Sequence, residues 1–101
     1  MAIAASDITL EEAGSKGRYG YRVGDDVAEM TYSKAGDGLV VIDHTGVPDA
    51  FRGQGVGVAL VSRAVEDARA AGKKVLPLCP FAAAQFRRHP EWADVLSGGR
   101  S

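Results

Sequence analysis

The sequence predicts a mixed α/β fold in which antiparallel hairpins are followed by a β-α-β unit and a short C-terminal helix. Residues 8–45 consist of short alternating or β-branched segments separated by glycine-containing turns, a pattern typical of hairpin strands. From Val56 to Ala71, apolar residues recur at helical spacing instead. A short apolar strand and a second helix follow, so the chain changes from hairpins to a crossover unit.

Local signals set the predicted bounds of the elements. Gly72, followed by Lys73, ends the first helix, because glycine accepts the left-handed cap and a cation suits the C-terminal dipole. Pro90 ends the second helix, because the residue before a proline avoids the α region. The tail at 97–101 is expected to be frayed. The predicted strands cover residues 8–11, 18–23, 27–33, 39–45 and 75–78, and the predicted helices cover 56–71 and 81–89.

The strand at 39–45 is apolar on both faces, which predicts a place at the centre of the sheet. Because residues 39–78 form one β-α-β unit, the strand at 75–78 is expected to run parallel to it. Ligands of such units bind beyond the carboxyl ends of the parallel strands. A binding site is therefore expected beside the loop that begins the first helix.

Composition limits the classes of protein that this chain can be. Its 101 residues are enough for one small domain, and a formal charge of -1 gives no electrostatic reason to expect nucleic acid as a partner. No apolar run approaches the length that crosses a membrane, and the first residues lack the basic region of a signal peptide. A single cysteine supports neither an internal disulfide nor a metal site, and the expected location is the cytoplasm.

The most informative segment is Arg52-x-x-Gly55-x-Gly57, which stands where the first helix begins. Bare peptide N–H groups and the helix dipole together favour a bound anion at such a point. A Walker-type loop is excluded because Val58 follows the last glycine where lysine is required, and the glycine spacing does not match a dinucleotide fingerprint. The alternative, on the glycines alone, is a turn that lets the helix pack tightly on the sheet.

Three motifs in order resemble the small stand-alone members of the GNAT acetyltransferase superfamily. The three are His44-Thr45-x-Val47-Pro48, Pro77-x-Cys79-Pro80-Phe81, and Arg88-His89-Pro90-Glu91 followed by Trp92. In addition, Arg52-Gly53-Gln54-Gly55-Val56-Gly57 looks like the Q/R-x-x-G-x-G/A signature of the superfamily. The resemblance covers residues 8–96 and implies one acetyltransferase domain with a minimal GNAT fold. It implies an acetyl-CoA-dependent N-acetyltransferase that acts on a small amine, a protein lysine or an N-terminus. A module that binds acetyl-CoA without efficient transfer is the alternative.

In the family, the coenzyme is held by backbone N–H groups of the signature loop and of the splayed central strand. The resemblance therefore implies coenzyme contacts here, and a bulge at Gly46 and Val47 would free backbone donors for the thioester. The Arg52 side chain neutralises phosphate charge in this hypothesis, although a solvated arginine fits the sequence as well. The expected coenzyme-binding residues are Val47, Arg52, Gly53, Gln54, Gly55, Val56, Gly57 and Val58.

Cys79 and His44 are the candidate catalytic residues. Cys79 directly follows the second parallel strand at the start of the last helix, where a thiol is activated, so it either accepts the acetyl group or gives a proton to the leaving thiolate. A buried cysteine that acts only as a small apolar side chain is the alternative. His44 ends the central strand and suits proton transfer near neutral pH, or it ties down the following turn. Asp43 is expected on the opposite face from His44.

The sequence departs from the larger GNAT enzymes in two respects. The first two helices of those enzymes have no room here, because residues 8–38 are taken by strands and turns. The last helix also lacks the tyrosine that many of them use as a general acid, so either Cys79 supplies the proton or catalysis is feeble. The acceptor stays open, the chain is expected to be a monomer or a homodimer, and no metal site is predicted.

Overall fold

Five strands form one mixed sheet in a computed structural model that describes residues 7–97. The strands follow one another across the sheet in chain order, without a swap. The strands are β1 (Thr9–Ala13), β2 (Lys16–Val23), β3 (Asp26–Lys34), β4 (Leu39–Gly46) and β5 (Lys74–Pro77), and the helices are α1 (Val56–Ala71) and α2 (Pro80–Arg88). The predicted fold class is confirmed, but β4 lies one strand in from the edge and not at the centre of the sheet as predicted, because β5 is the only strand beyond it in the described sheet.

Strands β1 to β4 pair as consecutive antiparallel hairpins, and β5 pairs with β4 in parallel, from Leu39 opposite Lys74 to Ile42 opposite Pro77. Helix α1 is the crossover between β4 and β5, as the β-α-β pattern predicted. It ends where the sequence indicated, because Gly72 caps it in the left-handed conformation at φ 71°.

Helix α1 covers one face of the sheet and forms the core with it. Leu60, Val61 and Val65 project from the helix at i, i+1 and i+5 and are buried against the sheet. Alternate residues of the strands meet them, so the opposite face of β2 and β3 carries polar side chains. The buried sheet residues include Tyr19, Ala28, Met30, Tyr32, Ile42 and Val75.

The segment after α2 contains a 3-10 helix, Pro90–Val95, that the sequence did not predict. Its Trp92 packs edge-on against Phe86 at 5.4 Å and stacks on His89 at 4.1 Å between ring centroids. Ser97 then donates to the Val75 carbonyl at 2.7 Å, so the expected fraying is wrong for this residue. The backbone of β5 fixes it, and the rest of the expected frayed tail, 98–101, lies outside the described residues.

The two helices described between residues 7 and 97 are both too short or too polar to cross a membrane.

Leu60 tests how much of the stability comes from the contact between α1 and the sheet. Leu60 is fully buried, so Leu60→Ala should lower the free energy of unfolding by about 3 kcal/mol, the usual cost of such a cavity. Leu78→Ala is the matched control, since that side chain is 62% exposed and its loss should cost less than about 0.5 kcal/mol. Urea denaturation of both variants measures the difference, and equal losses would contradict the assigned core.

Candidate active site

The parallel strands β4 and β5 separate after Ile42. Ile42 and Pro77 are the last residues in register, and the amides of Leu78 and Cys79 both donate to the Ile42 carbonyl oxygen, at 3.1 and 3.2 Å. The Ile42 carbonyl oxygen therefore accepts both amides that follow β5, and the ladder of hydrogen bonds between β4 and β5 ends there. Beyond it the chain turns into α2, and a gap opens between residues 43–47 of β4 and the start of that helix.

Strand β4 contains a bulge at Asp43, not at Gly46 and Val47 as expected. Tyr32 of β3 lies opposite Ile42, but Thr31 lies opposite His44, so Asp43 is an extra residue on β4. Gly46 itself is in register, opposite Glu29. The bulge thus stands at the start of the gap and changes the direction of the side chains that follow it.

The bulge also overturns the expectation that Asp43 and His44 face opposite ways. Ser33 and Thr31 stand two residues apart on β3 and share the outer face, which is the face away from α1. The Ser33 hydroxyl donates to the Asp43 carboxylate at 2.8 Å, and His44 lies opposite Thr31. Asp43 and His44 therefore share the outer face, because the extra residue breaks the alternation between them.

The Cys79 thiol lies on the helix side of β4. It donates to the Thr45 hydroxyl at 3.5 Å, and Thr45 is opposite the buried Met30. Burial alone would raise the pKa of the Cys79 thiol. The ionised sulfur instead accepts hydrogen bonds from the Thr45 hydroxyl and from the amides of Ala82 and Phe81, and these lower the pKa below its ordinary value. The first turn of α2 thus stabilises the thiolate, which is the reactive form.

The two candidate catalytic residues lie on opposite faces of β4. His44 is exposed on the outer face, with its Nε2 close above Gly46, where an added Cβ would stand 3.3 Å away. Within the described chain no hydrogen bond holds the imidazole, so the structure gives no support to its suggested role in tying down the turn. Cys79 is only 6% exposed, on the other side. The structure pairs Cys79 with Thr45 and leaves His44 open to solvent.

The glycines of the signature loop serve two different purposes. Gly53 and Gly55 adopt φ of 79° and 75°, the left-handed region in which a side chain is strained. Gly57 is helical, but a Cβ there would stand 2.5 Å from the Phe81 ring. The first two glycines shape the loop, whereas the third allows α2 to pack against the start of α1.

Five amides at this loop have no hydrogen-bond partner within residues 7–97. They precede or open the first turn of α1, and its first backbone bond, from Ala59 to Gly55, leaves them out. Such a set of donors, at the positive end of a helix dipole, favours a bound anion. The five are the amides of Gly53, Gly55, Val56, Gly57 and Val58.

Two of the expected coenzyme-binding residues already have partners. The Gln54 amide donates to the Phe51 carbonyl and its side chain to the Ala50 carbonyl, both at 3.1 Å, so Gln54 closes the loop. Arg52 pairs with Asp49 at 2.9 Å. Both of these side chains are largely exposed, so the pair contributes little and a phosphate can compete for the guanidinium. Val47 is exposed just after β4, at the edge of the gap.

Sequence reasoning gave no role to Thr45 and Phe81, which the structure places at the site. Thr45 holds the Cys79 thiol, and Phe81 lies against Gly57. Both residues belong to the sequence motifs that resemble the family, so their positions in the chain were known. Their contacts with Cys79 and Gly57 could not be predicted, because each contact joins two segments that only the tertiary fold brings together.

Comparison with known proteins identifies the family. A family model described as GCN5-related N-acetyl-transferase matches residues 18–95. This chain belongs to the GCN5-related N-acetyltransferases. It is also similar to a GCN5-like candidate N-acetyltransferase from Staphylococcus aureus, whose solution structure was determined by NMR. The two are 33% identical over 90% of this chain and 89% of that one, with a TM-score of 0.67, and no curated protein matches.

Membership of the family agrees with a transferase that moves acetyl groups, and the fold of the S. aureus protein agrees with the mixed sheet described above. In the described part of the chain, no three His, Cys, Asp or Glu side chains are grouped so as to hold a metal ion.

The pH dependence of Cys79 alkylation tests the stabilised thiolate. Because the pKa of the thiol is lowered, the rate of reaction with iodoacetamide should rise with pH to a midpoint below about 8.5, the value of free cysteine. Thr45→Val removes one of the hydrogen bonds and should move the midpoint upward. Denatured protein is the control for intrinsic reactivity. A wild-type midpoint at or above that of the denatured chain would contradict the assignment.

Proposed function

We propose that this protein transfers an acetyl group from acetyl-CoA to an amine, through a domain that spans residues 8–96. The single observation that supports this most is the set of unpartnered amides at Gly53 and at Gly55 to Val58, which stands beside the gap between β4 and the start of α2. A diphosphate bound there would leave its thioester arm within reach of that gap. The Cys79 thiol borders the gap on the helix side.

The charge of the loop suits a diphosphate better than a neutral ligand. The five free amides supply directed donors, and hydrogen bonds to an ionised oxygen are stronger than those to a neutral one. Arg52 adds a cation whose present partner, Asp49, holds it only by an exposed ion pair. Of the residues expected from sequence, Gln54 serves in this proposal by closing the loop rather than by giving its amide to the coenzyme.

The proposed reaction is a direct attack of the amine on the thioester. The amine nitrogen bonds to the carbonyl carbon, the carbon–sulfur bond breaks, and the coenzyme leaves as a thiolate that takes up a proton. His44 or a water molecule accepts a proton from the amine. The Cys79 thiol supplies the proton to the leaving group or, as a thiolate, first accepts the acetyl group itself. The position of Cys79 beside the gap supports either role.

A second candidate function is an acetyl-CoA-binding module that transfers slowly or not at all. Two observations favour it: His44 and Cys79 lie on opposite faces of β4, and α2 carries no tyrosine that could act as an acid. The same amides would then hold the coenzyme without a competent acceptor site. Labelled acetyl-CoA incubated with amines, peptides and polyamines separates the two functions, since binding without loss of the thioester identifies the module.

Calorimetric titration with acetyl-CoA tests the loop. Gly55→Ala places a side chain at a φ of 75°, so the loop must relax, and the lost amide contacts should weaken binding by roughly tenfold or more. Gly36→Ala is the matched control, because Gly36 has the same φ of 75° in the distant turn between β3 and β4. The control should bind normally despite a similar loss of stability. Equal affinities for all three proteins, or no binding by the wild type, would exclude the loop as the coenzyme site.

Cys79→Ala tests the chemical step. Coenzyme affinity should stay within about twofold, whereas turnover should fall by about 100-fold, a usual contribution of one acid–base group. Mass spectrometry of the wild type with acetyl-CoA alone distinguishes the two roles. An added acetyl group that is absent from Cys79→Ala indicates the covalent role, and its absence indicates proton donation. Unchanged turnover in the variant would remove Cys79 from the mechanism.

A further inference from the structure

At the end of the sheet near the bulge, the outer face carries two charges, Lys16 and Asp43, that form no ion pair within the described residues. Arg22, which also forms none there, stands at the opposite end of β2. The cation beside them is paired, since Arg18 contacts Glu11 at 2.5 Å and Glu29 at 3.5 Å. Paired charges on an open sheet face are ordinary, because each sign neutralises the other. An unpaired ammonium and an unpaired carboxylate on the same face are therefore the groups open to a ligand.

One hydroxyl joins the two charges. The Lys16 ammonium donates to Ser33 Oγ at 3.0 Å, and the Ser33 hydroxyl donates to the Asp43 carboxylate at 2.8 Å. Lys16, Ser33 and Asp43 stand on three neighbouring strands, so the sheet fixes their order across its face. The serine keeps the opposite charges close together but out of direct contact. The result is a fixed dipole, positive at β2 and negative at β4.

This dipole lies in a cleft next to the proposed reaction centre. Lys16, Arg18, Thr31 and Asp43 all line the cleft, whose volume is about 540 Å³. Glu11 and Glu12 line it as well, but their carboxylates are paired with Arg18 and Lys34. Because Asp43 is the bulged residue, it shares the outer face with His44 and directly precedes it. An amine held by the Asp43 carboxylate would therefore lie beside the imidazole and at the start of the gap between the parallel strands.

We propose that the acceptor is a free α-amino acid, bound head to tail against this dipole, with its ammonium at Asp43 and its carboxylate at Lys16. The acetylation of the amino acid rests on the proposed acetyl transfer, whereas its binding at Asp43 and Lys16 does not. An α-amino acid carries its two charged groups on the same α-carbon, a short separation that matches two protein charges that share one hydroxyl. A lysine side chain within a protein has no neighbouring carboxylate, and a polyamine would meet the Lys16 ammonium with a like charge.

Acetylation of such an acceptor removes two protons from its ammonium group and returns one to the coenzyme. The ammonium bound at Asp43 gives one proton to His44, which passes it to solvent. The free amine nitrogen then bonds to the thioester carbon as the carbon–sulfur bond breaks. The second nitrogen proton leaves, and the coenzyme thiolate takes up one proton. The products are an N-acetylamino acid, the coenzyme thiol and one proton.

Titration by NMR, without coenzyme, tests the binding site directly. The ¹⁵N-labelled full chain is titrated with free α-amino acids and, separately, with their α-carboxamides, which keep the ammonium but lack the carboxylate. At least one free amino acid should shift the amide signals of Thr31, Ser33 and Asp43. Its Kd should be roughly fivefold below that of its carboxamide, the contribution of one exposed ion pair.

Two variants test which protein charge binds each end of the amino acid. Lys16→Met should abolish the preference for the free acid while leaving the carboxamide affinity unchanged, because only the carboxylate contact is lost. Asp43→Asn should weaken both ligands, since both carry the ammonium. Lys73→Met is the matched control, because Lys73 lines a different cleft, between α1 and the strands, and should change neither affinity.

The proposal is overturned if no amino acid shifts these signals, if the acid and the carboxamide bind equally to the wild type, or if the preference survives Lys16→Met. Tighter binding of a lysine peptide or of spermidine overturns it as well. None of these outcomes depends on the coenzyme. Failure of the acetyl-CoA titration would instead remove the proposed acetyl transfer and leave the amino-acid site to stand or fall on the NMR result.

Discussion

The carbonyl oxygen of Ile42 determines where the candidate site lies. It accepts the amides of both Leu78 and Cys79, so the parallel ladder of β4 and β5 ends there and cannot continue toward residue 47. A regular ladder would bring the next residue of β5 into register and close the sheet. Because one acceptor serves two donors, the chain turns away, begins α2 and leaves a gap at the carboxyl ends of both strands. The Cys79 thiol reaches Thr45 across that gap.

The bulge at Asp43 divides the chemistry between the two faces of β4. On the helix side lie Thr45, Cys79 and the free amides of the glycine loop, which together suit an anion and a thioester. On the outer face lie Asp43 and His44, which suit an amine and its proton. A single extra residue produces this division, because it places two successive side chains on one face and restores the alternation afterwards. Strand β4 thus separates the side that suits the thioester from the side that suits the amine.

Much of the fold could be predicted because its signals are local. The hairpins, the crossover helix and the parallel strand follow from periodicity, turn glycines and the left-handed cap at Gly72. The glycine loop could be predicted for the same reason, since free amides at the start of a helix are a property of the helix itself. The position of the bulge could not, because it depends on which residue of β3 lies opposite each residue of β4. The 3-10 helix after His89 likewise depends on a residue distant in the chain, because Arg69 pairs with Asp94 and donates to the Glu91 carbonyl.

Cys79 illustrates which properties of a residue the sequence determines and which depend on the tertiary structure. The sequence by itself determined that a cysteine follows the second parallel strand and precedes a helix, and that three motifs occur in a family-like order. Only the tertiary structure decided that the thiol meets Thr45 and the first amides of α2, which stabilise its ionised form. It alone decided that His44 stands on the other face, beside Asp43. Periodicity is a property of neighbours along the chain, whereas a hydrogen bond between residues 34 positions apart exists only once the strands have paired.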